Sequence, residues 1–195
     1  MKNVLIGLLV VVSLLAVYSF TYTSAGTIMS TTNVEAPASK VNWMTWEEAI
    51  KQSKIKKKKI FVDVYTDWCG WCKKMDKATF QKAHIAKYLN ENYYPVKFNA
   101  EQKAAITVNN KTYKYVKSGR RGYHELAAMI TRGKLSYPSI VFLDESFDVI
   151  QPIPGYQDHN KFEVIMTYFA TDNHKKTPWS RYAKEYVHMA KRNAG

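Results

Sequence analysis

The alternation of apolar and polar residues divides this chain into strands and helices in turn. Ile60-Phe61-Val62-Asp63-Val64-Tyr65 is an apolar run broken by one carboxylate, which predicts a buried strand. Further strands are predicted at Tyr94 to Asn99, Ser139 to Leu143 and Phe147 to Pro152, the last closed by Pro154-Gly155. Thr45 to Ser53 predicts a helix. Thr45 can cap it, Glu47 and Glu48 occupy its first turn, and Trp46, Ala49 and Ile50 form an apolar stripe. Lys73 to Leu89 predicts a second helix, with Met75, Phe80, Ile85, Tyr88 and Leu89 as its apolar positions. Tyr123 to Ile130 predicts a third, ended near Gly133, and His159 to Ala170 and Pro178 to Met189 two more. Ile106 to Val116 alternates around Asn109-Asn110 and reads as a β-hairpin. No internal repeat is visible. Strands alternating with helices argue an α/β fold with a central sheet, its late strand pair antiparallel.

The N-terminus reads as an export signal spanning residues 1–25. Lys2 supplies a positive start, Val4 to Phe20 is almost wholly apolar, and Thr23-Ser24-Ala25 places small residues before a cleavage point. The alternative is an uncleaved N-terminal anchor, since the apolar run sits at the short limit for spanning a bilayer. Only an uncleaved segment gives the protein contact with the membrane. Both readings send the remainder to the periplasm or cell envelope. No cysteine lies near this point, which excludes a lipid-attached lipoprotein. Residues 26–40 are rich in Ser, Thr, Ala and Pro and read as a flexible linker. Residues 41–195 suffice for one domain with its own core.

Charge adds little to this picture. The formal net charge is +13, which raises nucleic acid or an anionic surface as partners. The densest cluster is Lys51, Lys54 and Lys56 to Lys59, and no aromatic residue interleaves there to stack on bases. It reads as a solvated helix end and loop, so no nucleic-acid partner is expected. Aromatic residues make up 14% of the chain, enough to build a core and to argue against disorder.

The chemistry lies in Cys69-Gly70-Trp71-Cys72, which uses both cysteines of the chain. It follows the first predicted strand and opens a predicted helix. A cysteine there meets unpaired backbone N–H groups and the positive end of the helix dipole, which favour the thiolate. Two intervening residues bring both sulfurs within bonding reach. Structural zinc needs four ligands, and the chain has no second cysteine pair and no closely spaced histidine pair among His84, His124, His159, His174 and His188. Covalent haem needs histidine after the second cysteine, where Lys73 stands. An inert disulfide remains open, although so short a loop stabilises little. In the redox reading Cys69, with Lys73 and Lys74 close by, is the attacking thiolate. Cys72, expected to be the more buried, resolves the mixed disulfide.

Around this pair the chain resembles the thioredoxin superfamily over roughly Trp43 to Phe169. Trp68-Cys69-Gly70-Trp71-Cys72-Lys73 is similar to the family's W-C-G-x-C-K. Asp63, six residues before Cys69, matches its buried aspartate, and Lys97 in Val96-Lys97-Phe98-Asn99 matches the lysine near that aspartate. Tyr137-Pro138, leading into Ser139 to Leu143, looks like its cis-proline and following strand. Gly155 matches a glycine after the last strand. Trp71 replaces the usual proline, and Glu101 to Lys134 is longer than in small thioredoxins; the motif Cys69-Gly70-Trp71-Cys72-Lys73-Lys74-Met75 looks more like exported bacterial thioredoxin-like proteins. The resemblance implies a thioredoxin fold with a hairpin-like insertion at about 106–116 and a C-terminal helical extension. It makes Asp63 a proton acceptor for Cys72 and Lys97 its neighbour. It makes Trp68, Gly70, Trp71, Tyr137 and Pro138 the substrate-binding set.

The reading that results is an exported thiol–disulfide oxidoreductase acting on cysteine-containing protein substrates. It needs no metal or organic cofactor beyond the Cys69–Cys72 dithiol, and it draws on a membrane or periplasmic electron donor. Reduction is favoured over oxidation or isomerisation. A non-catalytic thioredoxin-fold binding module of the cell envelope is the alternative. Arg120, Arg121, Tyr123 and His124 are read as lining a pocket or lying on a surface helix, and His84 as a helix-surface residue.

Overall fold

The structure, a computed structural model, describes residues 40–193. The predicted export signal and nearly all of the predicted linker lie outside them. Helix α1, Trp46–Ile55, opens on a capping box. Thr45 Oγ1 accepts from the Glu48 N–H at 3.2 Å, and Glu48 Oε2 accepts from the Thr45 N–H at 2.7 Å. Strand β1, Lys59–Tyr65, then leads into helix α2, Gly70–Met75, a π-helical turn, Asp76–Phe80, and helix α3, Ala83–Asn92. Strand β2, Tyr93–Asn99, follows directly.

Two short hairpins come next. Strands β3, Ile106–Val108, and β4, Lys111–Tyr113, turn through Asn109 and Asn110 at φ 49° and 62°. Both residues take the left-handed conformation that a two-residue mirror-image turn requires. Strands β5, Tyr115–Ser118, and β6, Arg121–His124, turn through Gly119 at φ 57° and Arg120. Helix α4, Glu125–Ile130, strand β7, Ser139–Leu143, strand β8, Val149–Pro154, helix α5, His159–Ala170, and helix α6, Trp179–Asn193, complete the order.

The central sheet runs β2-β1-β7-β8. β1 is parallel to β2 and antiparallel to β7, and β8 is antiparallel to β7. The inner strands β1 and β7 are covered on both faces, which is why their sequences are near-continuous apolar runs. Side chains alternate across β1. Ile60, Val62 and Val64 join Trp46, Val96, Phe98 and Leu126 in a core shared with α1, α4 and the first hairpin. Phe61 points to the opposite face, among Met75, Phe80, Leu89, Phe142 and Phe162. Its ring has the rings of Phe162, Phe142 and Phe80 at centroid distances of 5.3, 5.5 and 5.7 Å. Truncation of a ring so enclosed costs about 3–5 kcal/mol. The period of two puts Asp63 on the same face as Phe61, the face covered by α2.

The structure corrects four expectations. The predicted helix from Lys73 to Leu89 is three pieces. The Gln81 N–H reaches Asp76 O at 3.2 Å, a five-residue span, and the Lys82 N–H bonds to Thr79 O before the backbone turns extended at Lys82. Thr79 Oγ1 is held by Gln157 O at 2.7 Å, a partner 78 residues away that local periodicity cannot show. The predicted helix from Tyr123 begins at Glu125, because Arg121 to His124 pair with β5 instead. The last strand starts at Val149, since Phe147 takes φ 68° in the turn before it. Lys59, assigned to a solvated cluster, is buried. Its ammonium reaches Glu145 at 2.8 Å and Asp172 at 3.1 Å, which offsets the desolvation of the charge.

Candidate active site

The link from β1 to α2 is a tight turn closed by the Cys69 N–H on Thr66 O at 3.1 Å. Cys69 is the N-cap of α2, and the Cys72 N–H points at its sulfur, with N to Sγ at 3.1 Å. A donor on Sγ stabilises negative charge there when the bond opens. Cys69 and Cys72 are joined by a disulfide, Cα to Cα 5.3 Å. The expected difference in burial is absent: the two are 5% and 4% exposed. What flanks them is open. Trp68 is 52% exposed and Trp71 57%, and Gly70 is exposed between the two sulfurs, with open space where a side chain would stand.

Beneath the pair lies a charged core. Asp63 is fully buried on β1 and faces Lys97 across the β1–β2 register. Lys97 Nζ stands 2.7 Å from Asp63 Oδ2 and 2.7 Å from Asp76 Oδ1. Lys97 donates a hydrogen bond to Asp76, and its contact with Asp63 is an ion pair. Neither Asp63 oxygen has a hydrogen-bond partner among the described residues. Burial pushes the Asp63 carboxyl above the usual range, against the pull of Lys97, and the nearby Asp76 carboxylate adds to the rise. Burial alone would lower the Lys97 ammonium; Asp63 and Asp76 outweigh it and raise the net value. The ammonium also lies 4.7 Å from the Trp43 ring centroid. Lys97 is therefore no ordinary surface lysine, and Asp76 is a member of the cluster that the sequence did not reveal. It lies one helical turn after Cys72, whose carbonyl accepts the Asp76 N–H.

Tyr137-Pro138 is a cis peptide. Pro138 O accepts from the Gly155 N–H at 2.8 Å, where Gly155 takes φ 89° at the end of β8. Tyr137 meets Trp68 edge to face, centroids 6.0 Å apart, so the structure brings the proline loop to the cysteine turn. Burial and then Glu101 push the Tyr137 phenol up to about 12, so it stays protonated at neutral pH.

The second hairpin reaches the same place. Arg121 Cζ lies 4.2 Å from the Trp68 ring centroid. On the other side Trp71 packs on Tyr156 at 5.4 Å, and Lys74 Nζ lies 4.5 Å over the Trp71 ring. The sequence left Arg121 between lining a pocket and lying on a surface helix and left Tyr156 unassigned; Arg121 is on a strand and lies against Trp68 beside the cysteine pair. A glycine followed by Arg120, between alternating residues, was the available signal for this hairpin. His124 is a buried cap. Its Nδ1 accepts from the Leu126 N–H at 3.2 Å, so Nε2 carries the proton toward Ala104 O at 3.1 Å. Burial lowers its pKa and keeps it neutral. His84 is exposed on α3, 3.7 Å from Glu163.

A mixed sheet flanked by helices, with a cysteine pair opening the helix after its first strand, defines the thioredoxin fold. The family described as "Thioredox_DsbH: Protein of unknown function, DUF255" matches residues 29–148, and the chain belongs to it. A stretch of 84 residues is 31% identical to Spermatogenesis-associated protein 20 of Mus musculus, covering 43% of this chain and 11% of that protein. The chain thus spans about a tenth of the length of the curated relatives it matches. Among solved structures, a thioredoxin-fold protein from Helicobacter pylori superposes with TM-score 0.53 at 16% identity, over 68% of this chain and 86% of that one. A structure titled "DsbH Oxidoreductase" gives TM-score 0.48 at 21% identity, over 68% and 85%.

Proposed function

We propose that this protein is an exported thiol–disulfide oxidoreductase that reduces disulfides in protein substrates. The observation that carries the reading is the Cys69–Cys72 disulfide itself, with the Cys72 N–H on Cys69 Sγ and a buried, unbonded Asp63 carboxylate on the sheet face under α2. In the reduced protein Cys69 is the thiolate. It attacks one sulfur of a substrate disulfide; an S–S bond to Cys69 forms, the substrate S–S bond breaks, and the departing thiolate takes up a proton. Asp63 accepts the Cys72 proton. Cys72 then attacks Cys69 Sγ, the mixed disulfide breaks, and the second substrate sulfur leaves as a thiol. Two electrons pass from the dithiol to the substrate, and a dithiol donor in the membrane or periplasm restores it. Tyr137, Pro138, Trp68, Gly70 and Trp71 receive the substrate chain.

Export is supported by the charged start, apolar run and small-residue pattern that end at Ala25, with residues 26–40 as the tether. Cell fractionation and N-terminal sequencing test it: mature protein beginning at Gly26 outside the cytoplasm is expected, and cytoplasmic protein retaining Met1 contradicts it. The activity is tested by catalysed reduction of insulin disulfides with dithiothreitol as donor. Loss of turnover in Cys69→Ser is expected. A pair that neither opens nor turns over contradicts the enzyme and favours a binding module.

A further inference from the structure

We infer that the redox site receives a cysteine flanked by acidic residues, on an extended segment of a client protein. The inference rests on the thiol–disulfide reading of Cys69 and Cys72. Each exposed indole beside the disulfide is backed by a tyrosine and covered by a cation. Trp68 has Tyr137 at its edge and Arg121 on its face; Trp71 has Tyr156 and Lys74. Aromatic walls hold an unfolded segment without selecting its sequence. The cations add the selection.

Arg121 and Lys74 are exposed, and neither makes an ion pair among the described residues. The planar Arg121 guanidinium lies on one ring, which leaves its other face and its N–H donors for a carboxylate, and the Lys74 ammonium, 4.5 Å from the Trp71 centroid and 5.5 Å from that of Tyr156, is exposed and can turn N–H donors outward. Lys73 and Lys77 extend the positive row along the same helical stretch, four residues apart and both exposed.

Among the described residues none of the nearby carboxylates forms an ion pair with Arg121 or Lys74. Asp76 is bound to Lys97, and the Asp67 carboxylate accepts from Asn99 at 3.0 Å. Glu101 stands beside Tyr137, where it raises the phenol's pKa. A segment crossing Cys69 between the two indoles would set acidic residues toward Arg121 on one side of its cysteine and toward Lys74 on the other.

The test uses the full chain, reduced with dithiothreitol and desalted. It is mixed with three peptides that differ only in the residues flanking one cysteine, Glu, Gln or Lys. Each cysteine carries a mixed disulfide with 2-mercaptoethanol, and oxidation is followed by tryptophan fluorescence. At low salt the Glu peptide should react about tenfold faster than the Lys peptide, with Gln between, and the spread should shrink severalfold in high salt. The double variant Lys74→Glu/Arg121→Glu should reverse the order. Hydroxyethyl disulfide, which is small and neutral, separates the two failures. Reaction with it but equal rates on all three peptides overturns the acidic-client inference alone. No reaction with it or with any peptide overturns the thiol–disulfide reading and the inference with it. Equal peptide rates together with sedimentation on phosphatidylglycerol vesicles, lost in the double variant, overturns the peptide partner in favour of a lipid surface.

Discussion

Lys97 Nζ lies 2.7 Å from Asp63 Oδ2 and 2.7 Å from Asp76 Oδ1, so one half-buried ammonium serves two carboxylates, of which Asp63 is the buried one. Burial raises the Asp63 pKa in the folded protein. A raised acid pKa means the native state binds the proton more tightly than the unfolded chain. Stability is therefore lost as pH rises from the unfolded value, about 3.9, through the folded one. Above both, the full cost of the buried charge is present. Asp63→Asn should stabilise the oxidised protein at pH 8, by on the order of 1–3 kcal/mol. It should gain nothing at pH 3, where the Asp63 carboxyl is already protonated in the folded protein. Denaturant titrations of both proteins at the two pH values check this, and an equal change at both contradicts it.

Asp76→Asn acts on the same group from outside. It removes a negative charge that raises the Asp63 pKa, and it frees Lys97 to turn wholly to Asp63. Both effects lower the Asp63 pKa. The pH midpoint for release of a trapped mixed disulfide should shift downward in this variant. A pH–rate profile of that step measures it, and an unmoved or raised midpoint argues that Asp63 does not set the rate.

The two cysteines are equally buried, so burial does not separate their roles; the Cys72 N–H on Cys69 Sγ does. Cys72→Ser keeps the attacking thiolate and loses release, and should accumulate mixed disulfides with substrate proteins. Cys69→Ser should trap at least severalfold less. Non-reducing gels of the two variants after exposure to disulfide-bonded proteins give the comparison, and equal trapping contradicts the assignment.

Gly122 sits where a Cβ would collide with the backbone oxygen of Val116 and the ring of Tyr115. Gly122→Ala should therefore distort the second hairpin at a cost of about 1–3 kcal/mol and move Arg121 off Trp68. Turnover of protein disulfides should fall severalfold, with the reaction of hydroxyethyl disulfide within about twofold of the parent, because the attacking sulfur does not depend on the hairpin. Loss of both reactions in parallel contradicts a role confined to the rim.

What the sequence revealed follows from how local each feature is. The inner strands β1 and β7 are covered on both faces, so burial alone wrote their apolar runs. The Thr45 capping box and the Asn109-Asn110 turn satisfy their own backbone within four residues. Cys69, Cys72 and the carboxylate of Asp63 stand out because each is rare in its setting. The features missed depend on distant partners. Lys59 is buried by Glu145 and Asp172, 86 and 113 residues away. The break after α2 depends on Gln157 holding Thr79, and Asp76 joins the charged core through Lys97, 21 residues away. Tyr123 and His124 looked helical because Tyr123 to Ile130 carries an apolar spacing that also suits a strand leading into a short helix.

The central claim is that Cys69 and Cys72 interconvert reversibly between dithiol and disulfide as a reducing couple. Equilibration of the full chain with glutathione buffers, read by the fluorescence of Trp68 and Trp71, tests it most directly. The thiolate at Cys69 has one backbone donor and exposed lysines nearby, and Trp71 adds no charge or hydrogen-bonding base between the cysteines. The reduced form is thus only modestly stabilised, and the expected potential lies in the reducing half of the span from about −270 to about −120 mV. A potential at the oxidising end would contradict the reductase assignment, and a pair that stays oxidised at every glutathione ratio would contradict the enzyme.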